Sequence, residues 1–480
     1  MQTRQVDVAI LGGGTAGLGA FREARKHTDN VILIQGGPWG TTCARVGCMP
    51  SKLLIAAADA AHEARHAERF GIRTGAVEVD GHAVMARVRS ERDRFVGFVL
   101  ESVERIPPAH RLDGHARFVD DHTLMVDDHT RVHAERIVIA TGSRPAIVPV
   151  LEGAGDRLIV NDDLFEFDDL PASVAVFGPG VIGLELGQAL ARLGVRVRMF
   201  GVGGAVGPIR DEEIRRIALE TFNEEFPLDP DSAVSRIVRT DDGVAVTFHD
   251  GEHGERTETF DHLLAATGRR PNVDGLDLQN TSLELDDRGM PLFDRYTLRC
   301  GSSTVFIAGD ANNDLPLLHE ASDEGRIAGA NAGRFPDVRT GLRRTPLAVV
   351  FTDPQIATAG LTIQQVDERC HSCFAVGEVS FDNQGRSRVI GRNRGLLRVY
   401  GEQGTGLFMG AEMFGPAAEH IGHLLAWCAQ KRMTVSEMLD MPYYHPVIEE
   451  GLRTALRDLN HKLQIGEALV DACMECGPGS

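Results

Sequence analysis

An α/β fold with two dinucleotide-binding modules and a closing α+β domain is predicted by three observations: a repeated glycine fingerprint, a repeated Ala-Thr-Gly strand end, and a change of pattern near Arg343. The segment VDVAILGGGTAGLGAFREARKH reads as an apolar strand, then Gly12, Gly14 and Gly17 in G-x-G-x-x-G spacing, then a helix. Glycines so placed allow a tight turn, close approach of backbone N–H groups to a pyrophosphate, and close helix–strand packing. The pattern recurs in SVAVFGPGVIGLELGQALARLGVRVRMF, with Gly178, Gly180 and Gly183 again between strand and helix, so both modules are Rossmann-like. Each is followed by an apolar strand ending in Ala-Thr-Gly and then Arg-Pro: IVIATGSRP, containing Thr141 and Gly142, and LLAATGRRPN. The two pairs in the same order read as an internal duplication.

Next comes TVFIAGDANNDLPLL, a strand ending in Gly309-Asp310, where an acidic residue would point into the ligand crevice of an open sheet. Beyond Arg343 the strand-like runs LAVVFT, CFAVGEVSF and GLLRVY precede amphipathic helices in EHIGHLLAWCAQKR and EEGLRTALRDL, without a further fingerprint. The expected segments are 1–150 for the first module, 151–271 for the second, 272–342 for a return to the first, and 343–480 for the closing domain.

At 480 residues the chain can bury about three cores. A formal net charge of −19 with no basic stripe argues against nucleic-acid binding. No apolar run reaches transmembrane length and the N-terminus leads straight into a strand, so no membrane partner and a cytoplasmic location are expected. Eight cysteines are too few for a disulfide scaffold, and in a reducing compartment an adjacent pair is more often catalytic than structural.

Such a pair lies in GTTCARVGCMPSK, residues 40–52, where Cys43 and Cys48 are five apart. On a regular helix that spacing places them off a common face and beyond disulfide reach, so a bond needs a distorted turn. Gly47 permits one, and Pro50 suits the first turn of a helix beginning at Cys48. A helix N-terminus favours thiolate over thiol. The stretch alone leaves two readings open, a reactive pair and two ordinary buried cysteines. Zinc would want further ligands nearby, and no metal site is expected here. Two C-x-x-C pairs, Cys370/Cys373 and Cys473/Cys476, could bind zinc together if the tail folded back, but Cys373 starts an apolar strand and is expected to face the core, and the second pair lies in a terminal segment.

Two dinucleotide modules, a CxxxxC pair after the first, paired ATG motifs, a late Gly-Asp and a C-terminal His-Pro together resemble the pyridine nucleotide–disulfide oxidoreductases, over nearly the whole chain and in the family's order. Within that family the Cys-Met-Pro-Ser-Lys form is similar to the lipoamide-linked group. The resemblance implies an FAD domain interrupted by an NAD(P) domain and followed by a dimerisation domain. By position, Cys43 matches the interchange thiol and Cys48 its partner beside the flavin, joined as a redox disulfide. Gly12, Gly14 and Gly17 match the FAD pyrophosphate turn. Gln35, Thr42, Thr141, Gly142 and Asp310 fall at other flavin-binding positions, and Gly178, Gly180 and Gly183 at the nicotinamide nucleotide turn. Lys52 and Glu185 match an ion pair beside the flavin, where a cation stabilises negative charge on the reduced ring. His445 and Glu450, in MPYYHPVIEEGL, match the acid–base pair, which in the family reaches the site from the other subunit of a homodimer.

The implied activity is transfer of electrons from dihydrolipoamide, free or on a lipoyl domain, to NAD⁺. The alternative is NAD(P)H-dependent reduction of another disulfide, a quinone or a metal ion on the same scaffold. Four positions depart from the pattern, one of them Val447, where the family commonly has Thr after His-Pro. Arg45 replaces an Asn after the first cysteine. Gln35 stands where an acid holds the adenosine ribose. Gly201 replaces the acid that marks NAD, with no arginine cluster after it to mark NADP.

Overall fold

The computed structural model describes residues 1–251 and 253–463. These form two compact units, one of residues 1–53, 86–146 and 268–343, the other of the intervening and C-terminal residues. The Cys473/Cys476 pair lies outside the described residues.

The first unit is built on a seven-stranded sheet. Its central strand Gln2–Leu11 pairs in parallel with Val31–Gln35 on one side and Thr130–Ile139 on the other, and Val305–Ile307 extends the parallel set. Side chains alternate as a two-residue period requires. Val8 and Ile10 join the core formed with Ala16, Ala20 and Phe21, while Ala9 and Leu11 join the core with Leu124, Val132 and Val273. Helix Thr15–Ala24 packs closely on helix Leu318–Arg334 because the latter carries Gly325, Gly329 and Gly333 at four-residue spacing. A Cβ on Gly325 or Gly329 would stand 2.2 Å from the carbonyl oxygen of Ala16 or Ala20. No larger side chain is compatible with that approach.

The second unit holds a five-stranded parallel sheet including Ser173–Phe177, Arg196–Phe200 and His262–Ala265, the second Rossmann-like module. An antiparallel three-stranded meander spans Val234 to Phe260. A five-stranded antiparallel sheet, Leu347–Val350 to Phe408–Gly415, packs against helices Ala418–Gln430 and Glu449–Lys462 to form the α+β domain. Among the described residues no helix is long and apolar enough to cross a membrane.

Arg192, at the end of helix Val181–Arg192, is 4% exposed and bonded to Glu225 (2.8 Å), Asp59 (3.0 Å) and Asp353 (3.1 Å). Burial, and then this guanidinium, push the His62 imidazole down to about 4. Below the ordinary histidine range an unfolded chain therefore takes up a proton that the folded one refuses until about pH 4. His62 thus contributes stability that is complete above about pH 6.5 and is lost as pH falls toward 4. His62→Gln is expected to flatten the fall in denaturant-measured stability across that window. An unchanged slope would contradict it.

Candidate functional site

The first unit collects the residues assigned to the flavin turn. Gly12 has φ +105, and a Cβ there would meet the Ala140 carbonyl oxygen at 2.3 Å; a Cβ on Gly17 would meet that of Gly12 at 1.7 Å. A Cβ on Gly14 would find nothing within 4 Å, so its face of the helix N-terminus is open. The side chain of Gln35 braces the turn: its carbonyl accepts from Gly13 N–H (2.5 Å) and its amide donates to the Gly36 and Pro38 carbonyls. One carbonyl lone pair remains for a ribose hydroxyl.

The two Ala-Thr-Gly repeats are brought together directly. Ser143–Pro145 pairs antiparallel with Arg269–Pro271, and Arg269 donates to Ser143 Oγ at 2.8 Å. Ser143 Oγ in turn donates to Asp310 at 2.7 Å. Buried Glu324 fixes the Gly309-Asp310 turn by accepting from Gly309 N–H and Asn312 Nδ2, both at 2.7 Å. Thr141 Oγ1 is buried without a hydrogen-bond partner. An open glycine turn, an oriented carboxylate and an orphaned hydroxyl suit a polar, diphosphate-containing cofactor such as FAD.

The cysteine stretch solves its spacing problem with a break. Helix Thr42–Val46 is capped by Thr41, whose hydroxyl accepts from Ala44 N–H, and Gly47 ends it. A Cβ on Gly47 would stand 3.1 Å from the Thr42 carbonyl oxygen, a tight contact that glycine avoids where the chain doubles back. Helix Cys48–Arg65 then starts at Cys48. Neither cysteine is disulfide-bonded; Cys43 is half-buried and Cys48 exposed.

A hydrogen bond between the Cys43 and Cys48 side chains, and then burial, hold the Cys43 thiol well above its ordinary range, while Cys48 N–H and the Lys52 ammonium act the other way. A helix end is worth about 0.3–1 kcal/mol to an exposed anion, less than one pKa unit, so it cannot by itself ionise this thiol. A nucleophilic role for Cys43 would need a base.

In the second unit Gly183 repeats the logic of Gly17, since its Cβ would meet the Gly178 carbonyl oxygen at 2.0 Å, and Gly180 is open. Gly201 is glycine for a steric reason: a Cβ would stand 2.5 Å from the Pro230 carbonyl oxygen. Buried Glu185 accepts from Phe351 N–H at 3.0 Å. Lys52 belongs to the first unit and Glu185 to the second.

The second unit also holds the two residues expected to form an acid–base pair. His445 is exposed and its Nδ1 lies 3.1 and 3.0 Å from the two Glu450 oxygens, which leaves Nε2 facing outward. Glu450 is held by Val447 N–H and by Arg453, whose guanidinium stacks 5.5 Å over the Tyr443 ring. The hydrogen bond from His445 keeps the Glu450 carboxyl below the usual carboxylate range. It remains an acceptor across the neutral range and fixes the Nδ1–H tautomer.

Cys370 is buried against Met409, with its thiol 3.5 Å from the Met409 sulfur, and Cys373 is half-buried ahead of strand Phe374–Ser380. The core cysteine of this pair is therefore Cys370 and not, as the strand pattern predicts, Cys373. Among the described residues no His, Cys, Asp and Glu gather as a metal site.

Sequence reasoning missed one feature. Above Cys43 opens a cleft of about 570 Å³ in the first unit, lined by Phe95, Phe98, Leu318, Arg22 and Arg326 among others. The spacing of Arg22 from the fingerprint was its only signal.

A dithiol beside a nucleotide-binding turn, in a chain with a second such turn, defines a nucleotide-dependent dithiol–disulfide oxidoreductase. Residues 6–325 match the family model of the pyridine nucleotide-disulphide oxidoreductases, and residues 347–456 match that family's dimerisation domain. The chain belongs to this family, as an enzyme of its dihydrolipoyl dehydrogenase-like flavoprotein class, and the family implies FAD and NAD(P). It is 30% identical over 461 residues to dihydrolipoyl dehydrogenase of Haloferax volcanii, covering 94% of this chain and 95% of that one. To the Bacillus subtilis enzyme of that name it is 28% identical over 459 residues, covering 94% and 97%. The crystal structure of LpdA from Mycobacterium tuberculosis superposes with a TM-score of 0.79 at 26% identity, covering 95% of this chain and 99% of that one. The HOCl-induced flavoprotein disulfide reductase RclA of Escherichia coli shares the fold, with a TM-score of 0.78 at 22% identity, covering 95% and 100%.

Proposed function

We propose that the enzyme transfers two electrons between dihydrolipoamide and NAD⁺ through a Cys43–Cys48 disulfide. The observation that carries this reading is the thiol pair, hydrogen-bonded at the start of helix Cys48–Arg65 with Lys52 acting on it.

In the oxidised enzyme a substrate thiolate attacks Cys43 Sγ, forming a mixed disulfide and expelling the Cys48 thiolate. The second substrate thiolate then closes the substrate disulfide and expels the Cys43 thiolate, leaving both electrons on the cysteines. His445, oriented by Glu450, accepts the substrate protons, and in the reverse direction it takes the proton that Cys43 holds above its ordinary range. Gly12, Gly14, Gly17, Gln35, Thr42, Thr141, Gly142 and Asp310 would hold FAD, which when bound would supply two-electron chemistry between the dithiol and the nicotinamide. Lys52 provides a cation that would stabilise negative charge on the reduced ring.

Gly178, Gly180 and Gly183 receive the dinucleotide, and NAD is the favoured form. Asp231 accepts from Gly203 N–H at 2.7 Å, and its charge beside that turn opposes a 2′-phosphate. The working unit is a homodimer in which His445 serves the partner's thiols. Its exposed position, with Tyr444, Met441 and Trp427 also exposed in the dimerisation domain, supports this.

The test is one kinetic comparison of NADH and NADPH with lipoamide, oxidised glutathione and a quinone as acceptors. The expected result is NADH-driven reduction of a small disulfide. Turnover restricted to the quinone would contradict the thiol mechanism.

A further inference from the structure

Thr41 stands two residues before Cys43 in a backbone conformation that side chains avoid. Its φ of 60 with ψ of 149 lies at the edge of a region occupied almost only by glycine, and a β-branched residue there is an outlier. Other residues of positive φ are not comparable. Asp277, Asn313, His371 and Ala417 combine it with ψ of 43, 22, 52 and 30, the left-handed helical region that side chains enter more readily.

The surroundings hold Thr41 in place. Gly40, at φ +121, is closed over by the Arg45 stem and by Val96 of helix Gly81–Glu104, since a Cβ on Gly40 would lie 3.0 Å from Arg45 Cδ and from Val96 Cγ1. Arg45 N–H then donates back to the Thr41 carbonyl at 3.2 Å, so the residue that stands where the family has Asn also fixes this turn. Such packing is what a strained conformation needs to persist. Glycine would adopt these angles freely; what threonine adds within hydrogen-bond reach is a hydroxyl. It accepts from Ala44 N–H at 3.3 Å, at a helix start where Ala44 is 5% exposed and its donor has no partner in the helix ladder.

We infer that Thr41 is a positioning residue for the thiol pair: its hydroxyl fixes the first turn of helix Thr42–Val46, and with it the reach of Cys43 to Cys48. The inference rests on reading Cys43 and Cys48 as an exchanging pair. Thr41 acts through Cys43 and takes no part in the exchange. A thiol held within hydrogen-bond distance of its partner forms the disulfide from a restricted set of positions, so part of the entropy of pairing is already lost. Loosening the turn lowers the effective concentration of one thiol at the other, and the Cys43–Cys48 disulfide becomes easier to reduce.

The test is the equilibrium of flavin-loaded protein with a dithiothreitol redox buffer, read by alkylation and peptide mass. Cys43 and Cys48 give two electrons and two protons to oxidised dithiothreitol as their own disulfide forms. Thr41→Gly, which suits the backbone angles and removes the hydroxyl, should shift this equilibrium toward the dithiol roughly fivefold, about 20 mV for a two-electron couple. Its thermal midpoint should not fall, because glycine relieves the strain and replaces a threonine cap at small cost. Thr41→Ser, which keeps the hydroxyl, should stay with the wild type. An unshifted equilibrium in Thr41→Gly, a shift accompanied by a lower thermal midpoint, or an equal shift in Thr41→Ser overturns the inference while leaving the thiol reading intact. No Cys43–Cys48 disulfide in the wild-type protein at any buffer ratio would overturn that underlying reading instead.

Discussion

Cys43→Ser is expected to reduce disulfide turnover to background while the purified protein keeps its flavin. The substitution removes the nucleophilic sulfur and leaves the glycine turn, the Asp310 carboxylate and the Gln35 brace in place. Steady-state rates with NADH and lipoamide, alongside the flavin-to-protein ratio from the absorption spectrum, check both halves. Loss of flavin with the activity would mean that Cys43 is structural.

The second large effect is at His445. His445→Gln should lower turnover by roughly a hundredfold or more, the usual worth of a positioned acid–base group, without preventing dimer formation. Because the Cys43 proton is held by Cys48 and by burial, the loss should be greatest where a thiol must be deprotonated before attack. Mixing this variant with Cys43→Ser under conditions of subunit exchange should restore partial activity, since in the mixed dimer one site keeps both groups. No restoration, with exchange demonstrated by mass, would place His445 in service of its own chain or outside the reaction.

Much of this was legible in the sequence because glycine spacing and chemistry are local. Gly12, Gly17, Gly178 and Gly183 are where they are because a Cβ would strike a carbonyl oxygen, and such constraints leave a fixed interval in the chain. The break at Gly47, the helix start at Cys48 and the contact of His445 with Glu450 five residues on belong to the same kind. What the chain order conceals are contacts between distant segments. The bracing of Gly309-Asp310 by Glu324, the pairing of the two Arg-Pro segments, and the meander from Val234 to Phe260 depend on partners that no short motif names. The strands Gln355–Gly360 and Phe408–Gly415 were missed for a related reason. Phe408–Gly415 is buried along its whole length and shows no polar alternation.

The central claim is that Cys43 and Cys48 exchange electrons as a pair, and differential alkylation tests it most directly. The protein as isolated in air, and the same protein after one equivalent of NADH without oxygen, are each alkylated, and every cysteine is followed by peptide mass. The account predicts that Cys43 and Cys48 resist labelling in the first sample, linked to one another, and both become labelled in the second. Equal labelling of Cys43 and Cys48 in both samples, or a change confined to Cys370 and Cys373, would contradict it.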